Sequence, residues 1–301
     1  MKYKALIEYA KEREVKYIRD FSTAQLSSFE LGGRARVALF PSTIKSFCEI
    51  LSYMTDNEVK FFVAGNCTNS FFLDEEYDGV IISTRKLNKI EIVDSKLIAM
   101  CGALITDCSI EAMKFGFSGM EFLCGIPGSV GGSIFMNSSA YEKSISEILI
   151  TSTVYNIKTK EVIALNFSEH HFDKKQSVFS KNKNLILLSA TFGLVEKKIS
   201  EIREEMIEIS AKRINSQPLN FGSCGSVFKR PKNSYASKLI DELGLKGFKI
   251  GGAEISKKHA GFIINSDNAK SSDVLNLIEE IKTRVLIKFG IPLEQEIIFL
   301  K

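Results

Sequence analysis

Two glycine-bearing segments carry the residue types best suited to hold a phosphorylated ligand. The first covers residues 63–70, at the end of an apolar run, and the second covers residues 125–133, which contain four glycines. Glycine lets backbone N–H groups approach a ligand closely and accepts positive φ, so successive amides can converge on phosphate oxygens. Each segment alone is also compatible with a tight turn between strands. Together, the two favour a dinucleotide laid across two subdomains.

The same segments argue against two common nucleotide-binding classes. Neither contains the lysine of a Walker-type loop, which disfavours nucleotide hydrolysis. The chain has no G-x-G-x-x-G sequence, which disfavours a separate Rossmann domain for a second dinucleotide.

Composition places the 301-residue chain among globular proteins, with 45% hydrophobic and 25% charged residues. The net charge of +4 is mild and the lysines are scattered, so we expect no nucleic-acid partner, although an anionic small molecule would suit this field. No apolar run is long enough to span a bilayer, so we expect no membrane partner. A cytoplasmic protein, either a monomer or a weak homo-oligomer, is the expectation.

Cysteines and histidines give no sign of a metal site. The six cysteines include no C-x-x-C pair, which favours reduced thiols buried in the core over disulfides or zinc ligands. The three histidines are His170, His171 and His259, and no acidic cluster surrounds them in sequence. We therefore expect no metal.

The hydrophobic pattern predicts an α+β protein in several parts. Helices are expected over the opening 18 residues, after residue 43, and near 197–213, 235–243 and 272–288. Strands are expected at 37–41, 60–64, 79–83, 96–101, 147–157, 161–165, 184–191, 260–265 and 295–300. Residues 214–231 are rich in Gly, Ser, Asn and Pro and mark a boundary. The predicted divisions are an N-terminal extension (1–26), two subdomains (27–90 and 91–213) and a C-terminal domain (214–301).

An ordered set of motifs resembles one enzyme family from about residue 27 to the C-terminus. The runs Ser27–Gly33, Gly65–Ser70 and Gly119–Gly132 resemble the flavin-binding half of the UDP-N-acetylenolpyruvoylglucosamine reductases. The later runs resemble the substrate half of that family: Gln217–Pro231, Gly244–Gly247, Ile250–Ala253, Lys258–Phe262 and Phe289–Glu296. The sequence around Ser226 is similar to the shorter type of the family.

The resemblance implies a vanillyl-alcohol-oxidase-like FAD-binding fold with a C-terminal substrate-binding domain. It implies non-covalently bound FAD, NADPH as hydride donor, and reduction of the enolpyruvyl ether of UDP-N-acetylglucosamine to UDP-N-acetylmuramate in peptidoglycan precursor synthesis. The implied FAD-binding residues lie in the two glycine segments and just after the second: Gly65, Asn66, Cys67, Thr68, Asn69, Ser70, Gly125, Ile126, Pro127, Gly128, Ser129, Gly131, Gly132, Ser133 and Asn137. The substrate-binding residues expected in the C-terminal part are Gln217, Lys229, Arg230 and His259.

Three catalytic residues follow from the same resemblance. Ser226 matches the proton donor, whose hydroxyl would protonate the carbon beside the carboxylate, and Glu296 matches the active-site glutamate. Lys175 stands where the family has an arginine. Lysine keeps the charge but loses the planar fork that grips a carboxylate. Cys67, at a usual glycine position, is a second departure, which we interpret as packing.

Two alternatives stay open. One, which the Lys175 departure keeps open, is a flavin oxidoreductase of the same fold that acts on another substrate. The other is a non-catalytic binder of flavin or of a sugar nucleotide.

Overall fold

The computed structural model describes residues 2–301, and it mixes helices and strands throughout. Its eight helices are α1 (Lys2–Lys11), α2 (Ile44–Asp56), α3 (Ile105–Lys114), α4 (Val130–Phe135), α5 (Val178–Lys181), α6 (Ile199–Ser216), α7 (Ala236–Glu242) and α8 (Ser271–Phe289).

The strands are short, and several contain only two residues. They are β1 (Lys16–Ser22), β2 (Arg34–Phe40), β3 (Phe61–Ala64), β4 (Ser70–Phe72), β5 (Tyr77–Ser83), β6 (Ile90–Val93), β7 (Lys96–Met100), β8 (Phe117–Ser118), β9 (Ser139–Ala140), β10 (Lys143–Ser144), β11 (Leu149–Asn156), β12 (Glu161–Asn166), β13 (Leu185–Gly193), β14 (Val195–Glu196), β15 (Lys249–Ile250), β16 (Ala253–Ile255), β17 (Ile263–Asn265) and β18 (Ile298–Leu300).

The chain divides into two compact units, each built from several stretches of sequence. The first unit contains the residues up to Arg19 together with Val37–Asn66 and Gly79–Ala211. The second unit contains Asp20–Arg36, Cys67–Asp78 and Lys212–Lys301. The first glycine segment therefore contributes Gly65 and Asn66 to the first unit and Cys67–Ser70 to the second. The finer four-part division of the chain stays a prediction.

The first unit is organised around sheets with helices packed on them. The largest is an antiparallel sheet in the order β12-β11-β13-β7-β6. Its central strand β13 buries alternate side chains on each side of a register shift at Leu188, with Leu185 and Leu187 before it and Ala190 and Phe192 after it. Elsewhere in the unit, β3 runs parallel to β5, with Phe61 opposite Val80. Helix α2 begins where the Thr43 hydroxyl accepts the Ser46 N–H at 3.1 Å.

The second unit has its own core, formed by α7, α8 and the antiparallel sheet β15-β16-β17. Helix α8 buries Val274, Ile278, Ile281 and Val285, whose spacing places them on one face. Strand β18 pairs in parallel with β4, so that Phe299 is opposite Phe71. This pairing joins the C-terminus to the strand that directly follows the first glycine segment.

Most predicted elements are present, and the differences occur where the backbone bonds to another loop. The strand predicted at 260–265 is confined to Ile263–Asn265, because Phe262 forms an isolated bridge with Ser226. The strand predicted at 295–300 begins only at Ile298, since Gln295 bridges to Phe228 instead. The opening helix ends at Lys11, and strand β1 follows it without having been predicted.

Among residues 2–301, no helix has both the length and the apolar character needed to cross a membrane. All six cysteines are free and five of them are buried, which confirms their predicted place in the core. Within the same part of the chain, no group of three or more His, Cys, Asp or Glu side chains is arranged to hold a metal ion.

A buried histidine makes the stability of the first unit sensitive to pH. His170 is fully buried, and its Nδ1 donates to the Asn166 carbonyl at 2.9 Å while its Nε2 lies 2.7 Å from the Ser152 hydroxyl. Its ring stacks on Phe172 with centroids 5.3 Å apart. Burial lowers the pKa of His170, because the imidazolium would lose its hydration inside the core.

We expect the free energy of unfolding to fall as the pH decreases below about 6.5, since the unfolded chain then binds a proton at this position that the folded chain resists binding. The loss approaches about 1.4 kcal/mol per pH unit for one proton, and it ends once the pH passes below the lowered folded-state pKa. Urea unfolding at several pH values measures this slope. His170→Gln should flatten it, while His171→Asn, a change at an exposed neighbour whose φ of 45° suits asparagine, should not. An unchanged slope in His170→Gln would contradict the assignment.

Candidate active site

Gly65 and Asn66 of the first glycine segment lie beside the second segment in the first unit. The Asn66 side-chain amide donates to the Pro127 carbonyl at 2.5 Å, across 61 positions of sequence. A Cβ placed on Gly65 would lie 2.3 Å from the Ser129 hydroxyl oxygen, so a larger residue there would require the Ser129 side chain to move. The turns that the sequence predicted to converge therefore meet at these residues.

Most backbone amides at the end of the second segment are already used within the protein. Val130 and Gly131 donate to the carbonyls of Ala103 and Cys101, both at 2.8 Å. Gly132 donates to the Ser129 hydroxyl at 3.2 Å. Within residues 2–301, by contrast, the N–H groups of Gly128 and Ser129 have no acceptor. The donors open to a phosphate are thus at the start of the turn and not along its whole length.

One buried hydroxyl supplies a further donor. Ser133 is 1% exposed, and its Oγ has no hydrogen-bond partner in the described part of the chain. Leaving a buried hydroxyl unpaired costs about 1–3 kcal/mol. A ligand oxygen in this position would remove that cost. Together with the two open amides, Ser133 gives the site the neutral donors that a dinucleotide pyrophosphate requires.

Lys175 lies in a turn held against the end of the second segment. Asp173 and Gln176 exchange backbone hydrogen bonds of 3.1 and 3.2 Å, and Lys175 between them has a left-handed φ of 57°. The Asn137 side-chain amide donates to the Asp173 carbonyl at 3.1 Å. The Ser177 hydroxyl donates to the Phe135 carbonyl at 2.9 Å. Two hydrogen bonds therefore fix the backbone on both sides of this half-buried lysine.

Ser226 and Glu296 lie on adjacent backbone segments of the second unit. Glu296 donates its N–H to the Val227 carbonyl at 2.8 Å, and Val227 donates in turn to the Gly261 carbonyl at 3.0 Å. Ser226 itself is exposed, and it follows Gly225, whose φ of 73° favours glycine. The segments that carry the predicted proton donor and the predicted glutamate are thus hydrogen-bonded to each other, with Glu296 bonded to Val227, the residue after Ser226.

The segment that contains Ser226, residues 222–226, is called the serine segment. Ser28 links it to Cys67 of the first glycine segment. The Ser28 hydroxyl donates to the Ser223 carbonyl at 2.7 Å, and the Ser28 N–H donates to the Cys67 carbonyl at 3.3 Å. Cys67 has a φ of 47°, which explains why glycine suits this position. Burial raises the pKa of the nearby Cys224 thiol to about 12, so Cys224 stays protonated and unreactive at neutral pH.

A cavity of about 510 Å³ opens between α7 and the loop that contains His259. Its lining includes Tyr235 and His259, three lysines (Lys238, Lys246 and Lys258) and two acids (Asp241 and Glu242). Lys246 pairs with Asp241 at 2.8 Å and Lys238 with Glu242 at 3.8 Å, so the cavity presents both signs of charge. The sequence analysis named only His259 from this set, although Lys246 lies inside a run that resembles the family and could have been selected for that reason.

His259 presents a defined donor in this cavity. Its Nδ1 accepts the Gly261 N–H at 3.1 Å, which places the proton of the neutral ring on Nε2. Burial lowers the pKa of His259, and the positive charge of Lys246 lowers it further. The neutral imidazole is therefore the form present at neutral pH.

The remaining predicted substrate residues are dispersed around the same unit. Arg230 is exposed, and its guanidinium carbon lies 4.0 Å from the centroid of the Tyr235 ring. Lys229 forms an ion pair with Glu294 at 3.1 Å. Gln217 lies directly after α6 and is half-buried. Of these residues, Arg230 is the one in contact with the cavity lining.

Paired glycine turns with open donors suit a dinucleotide cofactor, and the comparisons give the class of protein, an FAD-containing oxidoreductase. Two family models match the chain: an FAD binding domain over residues 35–159, and the UDP-N-acetylenolpyruvoylglucosamine reductase C-terminal domain over residues 217–300.

Comparison with curated and solved proteins gives the particular family. The chain is 38% identical to UDP-N-acetylenolpyruvoylglucosamine reductase of Caldicellulosiruptor bescii, over 97% of this chain and 93% of the relative. It is 43% identical to the reductase of Thermosipho melanesiensis, over 90% and 91% of the two chains. The crystal structure of the Thermus caldophilus enzyme superposes with a TM-score of 0.80 at 29% identity, covering 95% of this chain and 99% of that one. The chain belongs to the UDP-N-acetylenolpyruvoylglucosamine reductase family, and the FAD-binding fold expected from the resemblance is confirmed.

We expect Ser133→Ala to weaken FAD binding and to leave the FAD-free protein as stable as before or more so. The first effect follows from the loss of a donor to the cofactor, and the second from the removal of a buried hydroxyl that lacks a partner. One hydrogen bond to a charged group corresponds to about 1.5–3 kcal/mol, or a rise in Kd of about 10- to 150-fold. Quenching of flavin fluorescence measures Kd, and thermal unfolding of the apoprotein measures stability.

Ser216→Ala is the matched control, since that hydroxyl donates to the Lys212 carbonyl at 2.7 Å at the end of α6. It should not alter the Kd for FAD. If Ser133→Ala bound FAD as tightly as the unaltered chain, the Ser133 hydroxyl would not contribute to FAD binding.

Proposed function

We propose that this protein reduces the enolpyruvyl ether of UDP-N-acetylglucosamine to UDP-N-acetylmuramate, with bound FAD and with NADPH as the hydride donor, in peptidoglycan precursor synthesis. The observation that carries the proposal is the convergence of the two glycine turns, fixed by the hydrogen bond between Asn66 and Pro127. Relatives 38–43% identical over most of the chain carry the name of this enzyme.

Gly65, Asn66, Gly128, Ser129 and Ser133 are the residues that we assign to the pyrophosphate of FAD. The other predicted FAD-binding residues, from Cys67–Ser70, Gly125–Pro127 and Gly131–Gly132, shape the backbone of the same two turns. Bound FAD supplies the hydride that passes from NADPH to the carbon–carbon double bond of the substrate. The residues of the chain then have to bind the substrate, place its carboxylate and deliver one proton.

Ser226 is the proton donor in this proposal. Addition of hydride to the terminal carbon puts enolate character on the carbon beside the carboxylate, and that carbon takes a proton to complete the reduction. Ser226 is exposed and lies on a turn fixed by its bridge to Phe262, so its hydroxyl can reach a bound ligand. Glu296, on the adjacent segment, orients the substrate carboxylate region through a shared proton or water.

Positive side chains hold the anionic parts of the substrate. Lys175 pairs with the carboxylate of the enolpyruvyl group and lowers the free energy of the charge that develops there. In the cavity beside α7, His259 donates from Nε2 to an acceptor on the sugar nucleotide, and Arg230 lies beside the same lining. Lys229 and Gln217 complete the proposed substrate-binding set. All substrates in this proposal are small molecules.

A cytoplasmic location and a monomeric or weakly associated state complete the proposal. Six free cysteines support a reducing compartment, where disulfides do not persist.

The first test is the absorbance spectrum of the purified protein followed by a coupled assay. The protein should bind FAD and turn yellow, and it should oxidise NADPH rapidly only when the enolpyruvyl substrate is present. A preparation that binds no FAD would contradict the proposal. Binding of FAD without turnover of this substrate would favour a different oxidoreductase of the same fold or a non-catalytic binder.

Ser226→Ala should leave reduction of the flavin by NADPH nearly intact and slow its reoxidation by the enolpyruvyl substrate, because only the second half-reaction needs the proton. Loss of a general acid typically costs about 10²- to 10⁴-fold. Stopped-flow absorbance of the flavin separates the two halves. Ser216→Ala serves again as the control, and equal slowing of both halves would refute the assigned role.

Lys175→Gln should raise the KM for the enolpyruvyl substrate and slow reoxidation of the flavin, whereas Lys175→Arg should match or exceed the unaltered rate, because arginine adds a second donor to the carboxylate. Steady-state kinetics at several ionic strengths measures both effects. Lys181→Gln, which removes a lysine at the end of α5, is the matched control. Unchanged kinetics in Lys175→Gln would remove this residue from the site.

A further inference from the structure

We propose that Asn69 and Asn137, each at or near the end of a glycine segment, are positioning residues that fix the backbone carrying Glu296 and Lys175. Both asparagines were expected to bind the cofactor. The structure instead uses one side-chain N–H of each to hold a backbone carbonyl beside a charged residue of the proposed reaction. The inference rests on the proposed function, in which Glu296 and Lys175 contact the substrate.

Asn69 holds the segment of Glu296 from two directions. Its side-chain amide donates to the Glu296 carbonyl at 3.2 Å. Its own backbone carbonyl accepts the Ile298 N–H at 3.0 Å. The Glu296 N–H meanwhile donates to the Val227 carbonyl at 2.8 Å. Both backbone polar groups of Glu296 are thus bonded, one towards the first glycine segment and one towards the serine segment.

This clamp is needed because Glu296 is not part of a strand. Strand β18 begins only at Ile298, and residues 293–297 have a single isolated bridge, between Gln295 and Phe228, in place of a continuous ladder. An irregular segment places a side chain less accurately than a strand does, unless specific bonds hold it. Asn69 supplies such a bond at the residue where it matters.

Asn137 acts in the same way in the first unit. Its amide nitrogen donates to the Asp173 carbonyl at 3.1 Å, and its Oδ1 accepts the Ser146 N–H at 3.3 Å. Asn137 is 9% exposed and has a left-handed φ of 43°. The carbonyl that it holds begins the turn of Lys175, two residues further along the chain. The buried amide therefore fixes the turn relative to the second glycine segment.

The chemical consequence is accurate placement of one charged residue within each unit. Displacement of a reacting group by about 1 Å can cost about 10²-fold in rate. Asn69 fixes the backbone of Glu296 in the second unit, and Asn137 fixes the turn of Lys175 in the first. These asparagines would then affect the reduction of substrate more than the affinity for FAD.

The test for Asn69 is Asn69→Ala. We expect reoxidation of reduced flavin by the enolpyruvyl substrate to slow by about 10- to 100-fold, with the Kd for FAD changed by less than about threefold. Asn57→Ala is the matched control, because Asn57 donates to the Tyr53 carbonyl at 2.8 Å at the end of α2. If Asn69→Ala weakened FAD binding without slowing reoxidation, the proposal would be overturned, and Asn69 would be a residue that binds the cofactor.

A double-mutant cycle distinguishes positioning from general damage. In a Glu296→Gln background, Asn69→Ala should slow reoxidation little further, because the carboxylate whose position it controls is already gone. Independent effects of the two substitutions, multiplying in rate, would overturn the proposal. For the first unit, Asn137→Gly keeps the left-handed backbone and removes the amide, and the partner substitution is Lys175→Gln.

Hydrogen exchange makes the result independent of turnover. In Asn69→Ala, peptides covering residues 294–298 should exchange faster than in the unaltered chain and in Asn57→Ala, whether or not substrate is turned over. Unchanged exchange there would overturn the clamp itself. The proposed function could also fail by itself. In that case the reduced flavin of the unaltered protein would not be reoxidised by the enolpyruvyl substrate, but residues 294–298 would still exchange faster in Asn69→Ala.

Discussion

The close approach of two turns, 61 positions apart in sequence, is the constraint on which the rest of the site depends. Gly65 allows it, because a larger residue there would require the Ser129 side chain to move, and the Asn66 amide fixes it by a hydrogen bond to Pro127. The amides of Val130 and Gly131 are meanwhile used to attach the second turn to residues 101–103. The donors of Gly128, Ser129 and Ser133 are left without a partner in the described part of the chain. The proposed phosphate site therefore consists of donors that have no hydrogen-bond partner within the described part of the protein.

Much of this arrangement could be predicted from residue types. The helical spacing of Val274, Ile278, Ile281 and Val285 predicted α8, and the density of glycines predicted the second turn. Which amides remain open could not be predicted, since that depends on partners distant in sequence, such as Cys101 and Ala103. The periodicity around residues 260–265 and 295–300 predicted longer strands than exist, because a pattern of alternating side chains does not show where the backbone bonds to another loop.

The roles of Asn69 and Asn137 could not be predicted from the sequence for a similar reason. An asparagine next to glycines is compatible with a ligand contact, a turn or a cap, and sequence alone cannot choose among them. Only the position of the accepting carbonyl decides, and for Asn69 and Asn137 that carbonyl lies beside Glu296 and Lys175. Likewise Lys246 lines a cavity with His259 although 13 residues separate them, an association that depends on the fold of the second unit.

Both departures from the pattern that the resemblance predicted lie at residues with a left-handed backbone. Cys67 stands where glycine was expected, and its φ of 47° is in the region that favours glycine. That backbone costs a cysteine about 1–2 kcal/mol, but it is held by the hydrogen bond that the Ser28 N–H donates to the Cys67 carbonyl. Lys175 also has a left-handed φ, of 57°, and its turn is held by Asn137 and Ser177. Because these bonds involve the backbone, they are the same whether lysine or arginine occupies the position. Lysine in place of arginine at position 175 therefore changes the geometry of the donors offered to a carboxylate. The backbone position from which the side chain extends is unchanged.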